Sequence, residues 1–140
     1  MSAENDYISC ESKNILQTVE MIEELIRKKT LTTYEVIALG KLLQDIYTGL
    51  ERILRTLLEK RAIKLKKTES WHKELLLAAK NKSLVTEAQF EGFRNLLLFR
   101  HMEVHGYGFM LDEKRLRQLA EHIPDLCRSF LQNIEKTNAS

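Results

Sequence analysis

The sequence predicts an all-α protein, an antiparallel bundle of four to five helices, and three observations carry that prediction. Structural punctuation is sparse: 140 residues hold one proline and five glycines beside 44% hydrophobic residues, too few breaks for a many-stranded β fold. Apolar residues recur at intervals of three and four, the period of one helix face. Helix-start chemistry separates these periodic segments, with Thr32-Thr33-Tyr34-Glu35 and Thr86-Glu87-Ala88-Gln89 both reading as capping boxes. The length suits one domain over residues 1–140, with frayed ends and a core that needs no disulfide or metal.

The first helix is expected from about Ser9 to Lys29, where Ile15, Leu16, Val19, Ile22 and Ile26 share a face. Lys28-Lys29-Thr30 suits its carboxyl end, because cations favour the negative pole of the helix dipole. The second helix starts at Thr33 and runs to about Ile63, with Val36, Leu39, Leu43, Ile46, Leu50, Leu54, Leu57 and Leu58 as its inner stripe. The turn between the two is short, so they are expected to be antiparallel neighbours. Gly40 and Gly49 each cost about 1 kcal/mol relative to alanine inside a helix, which marks them as points of close helix approach. The basic run Lys60, Arg61, Lys64, Lys66 and Lys67 reads as a solvated helix end, with an RNA-backbone contact as the competing reading. Ser70 is placed to cap a short helix over Trp71–Ala79, with Trp71 plugging the end of the bundle. The Thr86 box opens a fourth helix that leads into Phe99–Phe109. Asp112 caps the last helix, whose stripe is Leu116, Leu119, Ile123, Leu126, Phe130 and Ile134, and Pro124 predicts a kink or break near His122-Ile123.

Several classes are disfavoured. No N-terminal stretch is charged and then apolar, and no apolar run approaches 18 residues, so neither secretion nor a membrane span is indicated and a cytoplasmic location is expected. Cys10 and Cys127 lie far apart without CxxC spacing and read as reduced thiols. A net charge of +2 argues against coating nucleic acid by bulk electrostatics, so any such contact must be local.

The unusual chemistry is concentrated in Phe99-Arg100-His101-Met102-Glu103-Val104-His105-Gly106-Tyr107-Gly108-Phe109. On a helical projection Phe90, Phe93, Leu97 and Val104 form one stripe, with His101 beside it and Arg100 and His105 at opposite margins. Leu96, Leu98, Phe99 and Met102 make the other side apolar too, so the second half of this helix is expected to be buried nearly all round. An arginine and two histidines in such a setting need partners and point to a site. Five residues apart, Arg100 and His105 do not converge on a straight helix. A bend near Gly106, or two-fold pairing with a second copy, brings them together, and the lopsided polar margins favour the dimer. Arginine gripping a phosphodiester while histidine moves a proton is sufficient for metal-free RNA cleavage through the 2′-hydroxyl, which DNA lacks. A metal reading competes, with His101 and His105 at i, i+4 and Glu103 nearby, but further ligands are not apparent and Arg100 would repel a cation.

At these residues the sequence resembles the HepT-like branch of the HEPN superfamily, helical RNase toxins of HEPN/MNT toxin–antitoxin pairs. The signature of arginine, four to six residues, histidine, any residue and tyrosine is matched by Arg100 to Tyr107. Tyr47-Thr48-Gly49-Leu50-Glu51-Arg52 and Trp71-His72-Lys73-Glu74-Leu75-Leu76 are also similar to the family. The resemblance implies a helical bundle, a homodimer with the motif in the cleft between protomers, and metal-independent endoribonuclease activity without a cofactor. By that likeness Arg100 and His105 would be catalytic, and Tyr107 would be the tyrosine adenylylated by the cognate nucleotidyltransferase antitoxin. His101 would support the site, and Glu51 could orient Arg100 or His105 from the neighbouring helix, although a glutamate on a long helix is ordinarily solvated. Two readings from other classes remain: a non-catalytic helical partner or substrate-binding subunit of a nucleotidyltransferase, and a purely structural or metal-binding bundle. The joint presence of Arg100 and His105 favours the nuclease.

Overall fold

A computed structural model describes residues 3–64, 70–104 and 112–139, and among the side chains leaves out those of 102–104, 138 and 139. Six helices form the described chain: α1 (Ala3–Ile26), α2 (Thr33–Lys60), α3 (Trp71–Asn81), α4 (Glu87–Val104), α5 (Glu113–Ala120) and α6 (Ile123–Ala139). The protein is an all-α bundle, as the periodicity predicts. α5 and α6 are the two halves of the expected last helix, broken at Glu121 and His122 just ahead of Pro124, which cannot donate a backbone hydrogen bond.

α2 is the central element and packs on α1, α3, α4 and α5, while α6 closes the far side against α1 and α4. Its inner stripe Leu39, Leu43, Ile46, Leu50, Leu54 and Leu58 is fully buried. α1 starts earlier than expected because Ile8 extends its apolar face into the core and Glu11 is buried beside Arg52, 3.3 Å away. At the α1–α2 crossing Gly49 is in tight contact: a Cβ there would stand 2.8 Å from Ile15 Cγ1.

Local chemistry sets the helix ends. Thr32 and Glu35 form the predicted capping box, Thr32 Oγ1 accepting from the Glu35 amide at 3.2 Å while Glu35 Oε1 accepts from the Thr32 amide at 3.0 Å. Thr86 and Gln89 do the same at 3.1 and 3.0 Å, and buried Gln89 also donates to Ser129 Oγ at 2.9 Å, tying α4 to α6. Asp112 caps α5 by accepting from the Lys114 amide at 3.0 Å. Ser70 stands at the N-cap of α3 but its side chain makes no capping bond, contrary to expectation.

α2 stops at Lys60, short of the expected Ile63, in a Schellman motif: Ile63 N–H donates to Leu58 O at 3.0 Å and Ala62 N–H to Glu59 O at 2.9 Å. α3 ends the same way through Ser83 and Leu84. Ala62 and Ser83 both take φ of 59°, a left-handed conformation that the sequence does not signal because neither is glycine.

Between helices, Arg128 of α6 grips Glu23 of α1 through Nη1 and Nη2, each donating to one carboxylate oxygen. Arg117 of α5 donates to Ile26 O at 3.1 Å and Lys28 O at 2.7 Å, satisfying carbonyls at the end of α1. Cys10 and Cys127 are free thiols, as expected, and burial pushes the Cys127 thiol up to about 12, which makes it unreactive. Among the described residues no helix is long and apolar enough to cross a membrane.

Candidate active site

The register of α4 decides where Arg100 points. The buried positions on this helix are Gln89, Phe93, Leu96 and Leu97, with Phe93 packed edge-on against Phe130 of α6, ring centroids 5.5 Å apart. Arg100 follows Leu96 by one helical turn and Phe93 by two, so it continues this stripe rather than standing at its margin. It therefore faces α2, and its side chain is 30% exposed.

On α2 the facing residues are Tyr47 and Glu51, one turn apart and both buried. The Arg100 guanidinium lies over the Tyr47 ring, 5.7 Å from its centroid, and Nη1 is 3.7 Å from Glu51 Oε1. The first is a cation–π contact; the second is an ion pair too long to be a hydrogen bond. Glu51, whose side chain is only 7% exposed, is thus drawn out of solvent towards Arg100, the opposite of an ordinary solvated glutamate. Burial and the Glu51 charge push the Tyr47 phenol far above its usual range, so it stays protonated. Among the described residues Tyr47 Oη has no hydrogen-bond partner of good geometry.

The second oxygen of Glu51 is also engaged. His72, at the start of α3, places Nδ1 2.5 Å from Glu51 Oε2. Trp71 covers the imidazole with ring centroids 3.7 Å apart, and Arg55 of α2 lies 4.8 Å from the Trp71 centroid. One buried carboxylate therefore joins an arginine from α4 to a histidine from α3. Its own helix supplies Tyr47 beneath the arginine.

His101, counted among the buried polar groups by the periodicity, is exposed. Leu98 is 48% exposed, so α4 is not buried all round within one chain: the sides turned to α2, α3 and α6 are the covered ones. His105 and Tyr107 lie outside the described residues. The competing metal set of His101, His105 and Glu103 is likewise described only at His101. Among the described residues no group of three or more potential metal-ligating side chains is present.

Sequence reasoning did not pick out His72 or Tyr47 as site residues. A signal for Tyr47 and Glu51 exists: both fall on the inner stripe of α2 with Leu43, Leu50 and Leu54, where a carboxylate needs a partner. His72 has a weaker one, a histidine beside the single tryptophan at a helix start.

A search of curated proteins and of solved structures returned no significant match. A family profile described as HepT-like protein matches residues 38–140, from the first third of α2 through the carboxyl end, and so takes in Tyr47, Glu51, His72 and Arg100. The chain belongs to the HepT-like family.

Proposed function

We propose that the protein is the toxin of a HEPN/MNT toxin–antitoxin pair, a homodimeric, metal-independent endoribonuclease that uses Arg100 and His105. The observation that carries this reading is the setting of Arg100. An arginine in a solvated helix face gains nothing from a buried glutamate and a tyrosine ring; here both restrain the guanidinium while leaving part of it accessible. Such an arginine is prepared to receive the non-bridging oxygens of a phosphodiester and the charge that develops on them.

The chemistry then follows from the substrate. The ribose 2′-hydroxyl attacks the adjacent phosphorus, the bond to the 5′-oxygen breaks, and the products are a 2′,3′-cyclic phosphate and a 5′-hydroxyl. His105, next in sequence after Val104 at the end of α4, gives the proton that the departing 5′-oxygen needs. The exposed Leu98, on α4 shortly before Arg100, is offered as part of the seam with a second copy, which brings two sets of these residues to one cleft. Neutralisation follows from adenylylation of Tyr107 by a nucleotidyltransferase antitoxin, which places a bulky anionic group two residues from His105. His101 lines the RNA path as a supporting side chain.

Purified protein incubated with single-stranded RNA in excess chelator tests the reading. Cleavage that leaves 2′,3′-cyclic phosphate ends, spares DNA of the same sequence and is lost in Arg100→Ala and His105→Ala is expected. Intact RNA with the wild type, or equal cleavage by the variants, overturns it.

A further inference from the structure

The mechanism above gives one proton to the leaving oxygen but names no group to take one from the 2′-hydroxyl. We propose that His72 is this general base, a second catalytic histidine supplied by α3 and held in place by Glu51. The inference rests on the ribonuclease reading of the Arg100 site.

Three features point to it. First, the contact fixes the tautomer. A carboxylate only accepts hydrogen bonds, so a 2.5 Å contact between Glu51 Oε2 and His72 Nδ1 puts the ring proton on Nδ1. In the neutral ring Nε2 then carries the lone pair, and the contact among the described residues engages Nδ1 alone. Second, the carboxylate is buried whereas the imidazole is 27% exposed, so the ring is anchored on its protein side and open on the other. A buried carboxylate behind an imidazole also stabilises the cation that forms when Nε2 takes a proton, the role the aspartate plays in serine-protease triads. Third, Glu51 is shared. Its other oxygen faces Arg100, so the group that would bind the phosphate and the group that would deprotonate the nucleophile are set by one side chain.

The surroundings are consistent with a base that must hold its orientation. Trp71 packs on the imidazole face, Tyr47 lies 6.5 Å away on α2, and Arg55 backs Trp71. Arg100 already supplies a positive charge to Glu51, so a neutral His72 is not needed for that purpose.

The step balances. Nε2 of His72 removes the 2′-hydroxyl proton as the O2′–P bond forms, the P–O5′ bond breaks, and His105 protonates the 5′-oxygen. His72 then releases its proton to water and His105 regains one from water. Glu51 is a positioning residue: it touches the two side chains, not the RNA.

Two substitutions separate this role from a structural tie. His72→Asn keeps an N–H near the place of Nδ1 and so retains the bond to Glu51, but it cannot carry a proton; His72→Ala removes both. General-base loss lowers kcat by about 10²-fold or more in each, with KM changed by no more than a factor of about three. Added imidazole restores part of the kcat of His72→Ala, and circular dichroism of His72→Asn matches the wild type. If His72→Asn cleaves RNA within about threefold of the wild type, His72 is only a tie and the proposal is overturned while the ribonuclease reading stands. If the wild type leaves RNA intact, both fall together.

Discussion

Replacing Gly49 by alanine sets two opposed effects against each other at the α1–α2 crossing. Glycine inside a helix is less favourable than alanine by about 1 kcal/mol, so Gly49→Ala on an open surface would stabilise α2 by that amount. Here the added Cβ meets Ile15 Cγ1 at 2.8 Å and Cδ1 at 3.1 Å. Ile15 is 2% exposed and β-branched, and its χ1 is held in a helix, so Cγ1 cannot swing aside without moving α1. Overpacking of this kind costs about 1–3 kcal/mol, which exceeds the propensity gain. Net destabilisation of about 1 kcal/mol is expected, read as a lower urea midpoint at unchanged m-value. Gly92→Ala is the internal control. Its Cβ comes even closer to an atom, but that atom is the terminal Cδ1 of half-buried Leu126, which can rotate away, so the change should be near neutral or stabilising. Ile15→Ala in the Gly49→Ala background should recover part of the overpacking term. A Gly49→Ala protein more stable than the wild type by about 1 kcal/mol would refute the close-approach argument.

Further outcomes are expected elsewhere. Arg100→Ala and Glu51→Gln should be non-additive in stability, with a coupling of about 0.5–1 kcal/mol in a double-mutant cycle because Arg100 is partly solvent-screened; full additivity would deny the contact. Tyr47→Phe removes a buried hydroxyl without a good partner and should change the urea midpoint by no more than about 1 kcal/mol equivalent, whereas a larger loss would reveal a hydrogen bond to Glu51. Glu23 is held below the usual carboxylate range chiefly by its hydrogen bond to Arg128, so its contribution is present above the unfolded pKa and lost as pH falls through the folded one. Thermal melts of the wild type should therefore fall more steeply on acidification than those of Glu23→Gln, and parallel curves would contradict this. Leu98→Asp should convert a dimer to a monomer in light scattering and abolish cleavage; a monomeric wild type would remove the composite cleft.

What the sequence disclosed was what depends on neighbours along the chain. The Thr32 and Thr86 boxes and the break before Pro124 each need only three or four consecutive residues, and each is present. The left-handed Ala62 and Ser83 were invisible because the Schellman geometry is imposed by the packing of the following Ile63 and Leu84 rather than by glycine. The inner face of the fourth helix is legible only in part, for a related reason. Its apolar residues go most of the way round, so periodicity alone gave a stripe through Phe90 and Val104. Of that stripe Phe93 and Leu97 are buried and Phe90 partly so, while packing adds Gln89 and Leu96 to the face, the polar one because Ser129 is there to receive it.

That choice of face has a chemical consequence. A rotation of α4 by one residue's worth would carry Arg100 off the α2 side and leave Glu51 buried with His72 alone. Gln89 and Phe93 prevent this from two turns or more away, one through a side-chain hydrogen bond and the other through its ring packing on Phe130. The arginine is therefore aimed by the core, not by its own neighbours in sequence, and Glu51 is kept where two helices can use it at once. A motif of arginine and histidine close together in sequence describes only the part of such a site that neighbouring residues can carry. The carboxylate and the second histidine come from α2 and α3, and only packing brings them to the same place.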